Sequence, residues 1–188
     1  MSCRFTSTPS SFQWSDAESV TPRPRFSVPQ HNNQASSFRN KTDCTQDVHM
    51  GSNVITYDDG TTVRHVGAHN VHSVLKWVFQ NFRNPSHIAL TGCSAGGTVL
   101  PVAYALLDRH YNSFLRTPPG VRAVQISVLS DSPVYLTPSY FLENAVGNWN
   151  PAPIMKSIGF NYNRWISNED YPTKIWDHAL QTGSNKDR

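Results

Sequence analysis

His87-Ile-Ala-Leu-Thr-Gly-Cys-Ser-Ala-Gly-Gly97 is the stretch on which the fold turns. It opens with a short apolar run, His87 to Thr91, of strand length, and passes directly into Gly92. Beyond Gly97, the residues Val99, Leu100, Val102, Ala103, Leu106, Leu107 and His110 follow with helical spacing until Pro118-Pro119-Gly120 breaks the pattern. The reading is strand, tight turn, helix. Upstream, Val71, Val74, Leu75, Val78, Phe79 and Phe82 share one helical face, which predicts a helix capped by Asn70 and stopped by Asn84-Pro85. Downstream, Val121 to Ser130 is β-branched and nearly uninterrupted, the pattern of a strand buried on both faces of a parallel sheet. Helix, strand, turn, helix, strand is the alternation of an α/β sheet with right-handed crossovers.

Around this core the chain changes character. Asp59-Gly60, set between Val54 to Tyr57 and Thr61 to His65, predicts a β-hairpin. After Pro133 the sequence is aromatic and loop-rich, with short helices expected from Pro138 to about Val146 and around Thr173 to Gln181. Residues 1–40 contain no Leu, Ile or Gly and are crowded with Ser, Pro, Thr, Gln and Asn. Such a segment buries too little apolar surface to offset its ordering entropy, so a disordered polar leader is expected there, followed by one domain over 41–188.

Composition narrows the classes of function. The 188 residues suffice for one domain, and the net charge of +3 arises from basic residues scattered singly rather than in the cluster a nucleic-acid footprint needs. No stretch approaches the roughly 20 apolar residues that cross a bilayer, and the first residues lack the apolar block of a signal peptide. Cys3, Cys44 and Cys93 are odd in number and widely spaced, which excludes a closed disulfide framework and zinc-ribbon spacing.

The chemistry sits in Gly92-Cys93-Ser94-Ala95-Gly96, a Gly-x-Ser-x-Gly motif between a predicted strand and a predicted helix. A serine nucleophile must project beyond the strand end in a strained turn, and its flanking residues must be small to let strand and helix pass. Ala95, the next residue, would donate its N–H to the oxyanion of a tetrahedral intermediate with help from the helix dipole. A glycine-rich turn that only packs tightly, or that cradles phosphate, is the competing reading. The loop has no Lys-Ser/Thr end and no Gly-x-Gly-x-x-Gly, which disfavours phosphate.

A serine elbow also needs a base and an acid. Asp131 follows the next predicted strand, and His178 is the sole later histidine, though its neighbours Ile175, Trp176, Ala179 and Leu180 resemble an ordinary helix face. His65, His69 and His72 would align on one helix, but Gly67 argues against that helix and no carboxylate or cysteine completes a metal set. Neither metal nor cofactor is expected.

Taken together, Cys44-Thr-Gln-Asp-Val-His-Met-Gly51, Arg64-His-Val-Gly-Ala-His-Asn70, Leu75-Lys-Trp77, Pro85, Gly92-Cys-Ser-Ala-Gly-Gly97 and Leu129-Ser-Asp-Ser132 resemble the pectin acetylesterase/Notum carboxylesterase family. The resemblance covers roughly residues 44–180, the middle of that family's domain. It implies an α/β-hydrolase-like fold, a mostly parallel sheet flanked by helices and here incomplete at both ends. It also implies cleavage of carboxylic esters through an acyl-enzyme, with Ser94 as nucleophile and Ala95 as oxyanion donor. Substrates implied by the family are acylated polysaccharides, acylated proteins or small esters, in a secreted or secretory-pathway setting.

Two departures stand beside the match. The family's usual Cys-Thr-Gly-Asp is Cys44-Thr-Gln-Asp47 here, which puts a side chain where the backbone is normally permissive. The glycine-rich segment that completes the family's oxyanion hole has no counterpart in residues 1–40, and the family's later acid and histidine are not matched before Arg188. Two expectations follow: a fragment of a serine carboxylesterase, or a truncated, non-catalytic member. In either case the chain as it stands is expected to turn over weakly or not at all.

Overall fold

The computed structural model describes residues 11–14, 45–113, 123–131, 146–162 and 171–183. Helices pack on a small parallel sheet, a mixed α and β arrangement. Chain order is β1 (Ser11–Trp14), β2 (Asn53–Thr56), β3 (Thr62–His65), α1 (Gly67–Asn81), β4 (His87–Cys93), α2 (Ala95–Thr98) and α3 (Leu100–Asn112). Then come β5 (Gln125–Asp131), α4 (Gly147–Trp149), α5 (Ala152–Ser157) and α6 (Tyr171–Thr182).

The main sheet has the order β1-β4-β5, all parallel, so the elbow strand lies in the middle. Its register sets Ile88 beside Ile126, Leu90 beside Val128 and Cys93 beside Asp131. Ile88, Leu90 and Ile126 are buried, and alternate positions on β5 are not: Leu129 is 68% exposed. The expectation that Val121 to Ser130 is buried on both faces is therefore corrected for the part described. Helices α2 and α3 pack against β4 and β5, and among the described residues no element covers the opposite face at Gln125, Ser127 and Leu129. Alternation is what one covered face imposes on a strand. Val121 itself lies outside the described residues.

Ser11–Trp14 forms β1 inside the stretch 1–40 that composition assigns to disorder, and that expectation is corrected for these residues. The reason lies in the main chain. Ser11 pairs with Ala89 and Trp14 with Gly92, so the ladder edge of β4 supplies hydrogen bonds that need no aliphatic side chain. Residues 1–10 and 15–40 lie outside the described residues.

The Asp59-Gly60 hairpin forms as its sequence predicts, with Ile55 opposite Val63 and Thr56 opposite Thr62. Gly60 takes φ +81°, and the Asp59 carboxylate accepts from the Thr61 N–H at 2.8 Å. That bond holds the Asp59 carboxyl below its ordinary pKa.

Helix α1 begins at Gly67, three residues ahead of the predicted Asn70 cap. Its first N–H groups find partners from an earlier loop: Gly67 N donates to Asp47 Oδ2 at 2.7 Å and Ala68 N to the Gly51 carbonyl at 2.9 Å. A buried carboxylate therefore does what a local capping side chain does elsewhere. From there Val71, Leu75 and Val78 turn inward and are 0–4% exposed, each contributing about 1.5–3 kcal/mol of burial.

The helix expected after Gly97 is split in two. Val99 separates α2 from α3, and Pro101 lies in the first turn of α3, where its missing N–H does no harm. The helix predicted around Thr173 to Gln181 is α6, and it packs on α3. The segment Pro138 to Ala145 lies outside the described residues. Helices α4 and α5 are not signalled by local patterns, and α5 carries Ile154 and Met155 into the core at 0–1% exposure.

Candidate active site at the strand-to-helix elbow

Ser94 closes β4 and opens α2, with φ 53° and ψ −124°. A residue bearing a β-carbon is rarely found there, and the surrounding bonds hold it. Its N–H donates to the Asp131 carbonyl at 2.9 Å, extending the β4–β5 ladder by one step. Its carbonyl accepts from Gly97 N at 2.9 Å, Thr98 N at 3.1 Å and Thr98 Oγ1 at 3.2 Å, so the first turn of α2 folds onto it. Ser130 Oγ donates to the Gly97 carbonyl at 3.1 Å and ties that turn to β5.

The glycines have a steric reason. A β-carbon on Gly92 would stand 2.7 Å from the Gly96 carbonyl carbon and 2.9 Å from Gly97 N, and closer still to the Gly96 oxygen. Strand and helix thus cross at a distance that only glycine permits at position 92. This is the crowding the sequence motif anticipates.

Among the described residues, Ser94 Oγ has no hydrogen-bond partner, and the residue is half-buried. Ala95 is the first residue of α2, where a helix leaves its N–H without an intrahelical acceptor. Because α2 is one turn long, the dipole assistance expected from a longer helix is reduced to that of a single turn.

The candidate partners fall in different places. Asp131 is drawn to the elbow by its main chain, in register with Cys93 and bonded through its carbonyl to Ser94. His178 lies on α6, with Nε2 2.9 Å from the Ile158 carbonyl and its ring edge-on to Phe160 at 5.4 Å. Those contacts tie it to the turn after α5, the role of a packed helical histidine, and no hydrogen bond joins it to Ser94.

His65, His69 and His72 are divided between β3 and α1, so the single helix that would align them does not form. His65 is 3% exposed, with Nδ1 2.7 Å from the Thr45 carbonyl and Nε2 2.9 Å from the Tyr57 hydroxyl. Partial desolvation of an otherwise exposed ring, and secondarily the nearby His69, hold the His72 pKa below its ordinary value. Among the described residues, no group of three His, Cys, Asp or Glu gathers to hold a metal ion, and no helix is long and apolar enough to cross a membrane.

Asp47 is the organising residue that residue-by-residue reading passed over. It is fully buried, and its carboxylate accepts from Thr45 Oγ1 at 2.7 Å, His49 N at 3.1 Å and Gly67 N at 2.7 Å. A β-carbon on Gly51 would strike its side chain, at 2.8 Å from both Cβ and Cγ. Gln46, Val48 and His49 around it all take positive φ, at 49°, 47° and 64°. The stretch Thr45 to Gly51 is thus a strained turn wound about one carboxylate, with Gln46 in a left-handed position that glycine would occupy without strain. The signal was present in the Asp-x-His-x-Gly spacing, but its partner Gly67 is twenty residues away.

Compared with protein-family models, with curated proteins and with solved structures, the chain matches none.

Proposed function

We propose that the chain is a carboxylic ester hydrolase of the pectin acetylesterase/Notum type, with Ser94 as the nucleophile and an acyl-enzyme as the intermediate. The observation that carries the reading is the Ser94 backbone, φ 53° and ψ −124°, held between a parallel strand and a helix by a crossing at which Gly92 leaves no room for a side chain. Strain of this kind costs about 1–3 kcal/mol and persists where the surroundings over-determine it, which is how a hydroxyl is kept projecting from a strand end.

In the proposed reaction, Ser94 Oγ attacks an ester carbonyl while the Ala95 N–H donates to the developing oxyanion. Collapse of that intermediate expels the alcohol and leaves the acyl group on Ser94, and water then releases the carboxylic acid. The fold this reading implies is an α/β-hydrolase-like domain, acting on an acylated polysaccharide, protein or small ester.

A second reading has its own observation. His178 is engaged with the Ile158 carbonyl and Phe160, and no histidine bonds to Ser94 Oγ among the described residues. That favours a family member that keeps the elbow without the base. Both readings are tested with p-nitrophenyl acetate and intact-protein mass spectrometry. Acetylation mapped to Ser94, absent in Ser94→Ala, supports the nucleophile. Sustained turnover separates an enzyme from a member that acylates once and stalls, and no adduct at Ser94 overturns the esterase reading.

A further inference from the structure

A trough runs between α1 and α3 on the helical side of the sheet, with a volume of about 530 Å³. It lies within the range of roughly 300–1,000 Å³ typical of small-molecule sites. His72, Leu75, Lys76 and Phe79 line it from α1, and Leu106, Arg109 and His110 from α3. On each helix these residues recur at spacings of three or four, so two stripes that mix apolar and basic groups face each other. None of them belongs to the elbow.

Two features make the trough selective. The first is a preset apolar body. Leu75 is 4% exposed, and the Phe79 ring is fixed by His110 stacked on it at 3.7 Å and 10° and by Tyr111 edge-on at 5.7 Å. Rings locked in this way lose little freedom when a ligand arrives. The second is uncompensated positive charge. Lys76 and Arg109 form no ion pair among the described residues, and none of the described lining residues is acidic. Arg109 commits one nitrogen, Nη1, to the Ser157 carbonyl at 2.6 Å, which anchors the guanidinium and leaves its other N–H groups available to an anion.

We propose that this trough binds a small amphipathic carboxylate, its apolar body on Leu75, Phe79 and Leu106 and its carboxylate between Lys76 and Arg109. Purely polar anions lack the body that Phe79 and the leucines recognise, and neutral hydrocarbons leave both cations unmatched. The inference stands apart from the esterase reading, because no lining residue takes part in the proposed chemistry.

The test is a titration of the whole chain with 2-naphthoate, followed through the ring Cε1–H resonances of its histidines. Naphthalene-2-methanol and acetate serve as the neutral and bodiless controls, and His72→Gln and His110→Gln assign the signals. Saturable shifts at His72 and His110 are expected with 2-naphthoate, and binding at least tenfold weaker with either control. The variant Lys76→Gln/Arg109→Gln should weaken 2-naphthoate at least tenfold. Lys76→Glu, which leaves the Arg109–Ser157 bond intact, should weaken it as well and guards against a folding defect in the double variant. Equal affinity for the alcohol, undiminished binding in both charge variants, shifts confined to other histidines, or no saturable shift would each overturn the proposal.

Discussion

Replacing Ser94 with glycine should make the protein more stable than replacing it with alanine, although both changes delete the same hydroxyl. At φ 53° and ψ −124° a β-carbon is strained, at a cost of about 1–3 kcal/mol, and alanine keeps that strain while glycine removes it. Glycine gives back about 0.5–1 kcal/mol through the greater freedom of its unfolded chain. The expected net advantage of Ser94→Gly is therefore about 1 kcal/mol from the centres of the two ranges, and up to about 2.5 kcal/mol. For a chain of this size a gain of about 1 kcal/mol raises the unfolding midpoint by roughly 2–4 °C. The measurement is thermal and urea unfolding of the two variants side by side. Ser73, exposed and inside α1, supplies the opposite control, because there glycine should be about 1 kcal/mol worse than alanine. If Ser94→Gly proves no more stable than Ser94→Ala while the Ser73 pair behaves as expected, the elbow is unstrained and the physical case for a nucleophile at Ser94 fails.

Asp47→Ala should cost about 2–6 kcal/mol in urea unfolding, because the buried N–H groups of His49 and Gly67 lose their acceptor at about 1–3 kcal/mol each. A loss under about 1 kcal/mol would show that the carboxylate does not hold the loop. Gln46→Gly should be stabilising by up to about 1 kcal/mol, since relief at φ 49° outweighs the added chain entropy; a destabilised variant would contradict that balance. For His72, partial desolvation lowers the folded pKa below its ordinary value, so protons bind the unfolded chain more readily. The stability tied to this residue is complete above about pH 6.5 and is lost as pH falls through the folded value. His72→Gln should flatten that acid-side slope, and an unchanged slope in unfolding scans across this range would refute the assignment.

Much of the elbow is written locally. Gly92 to Gly97, with an apolar strand before and a helical pattern after, encodes a turn whose sterics leave few alternatives, and the hairpin at Asp59-Gly60 follows from turn chemistry within four residues. Periodicity likewise marks α1, α3 and α6, because burial of a helical stripe depends on spacing of three and four. The sequence also places Ser94 at the point where strand passes into helix, between Cys93 and Ala95.

Tertiary structure decided what depends on partners far along the chain. The start of α1 moved from Asn70 to Gly67 because its capping carboxylate, Asp47, comes from a loop twenty residues earlier, and no local propensity encodes that bond. Ser11–Trp14 entered the sheet because β4 had a ladder edge to offer, a hydrogen-bonding opportunity invisible to a composition without Leu or Ile. One uncovered face turned an apolar run into an alternating strand with Leu129 exposed. His178 acquired the Ile158 carbonyl and Phe160 as partners through the packing around α6. Local sterics and spacing act within a few residues and can be read in order along the chain. Capping across loops, edge pairing and the company a histidine keeps are set by contacts that exist only once the chain has folded.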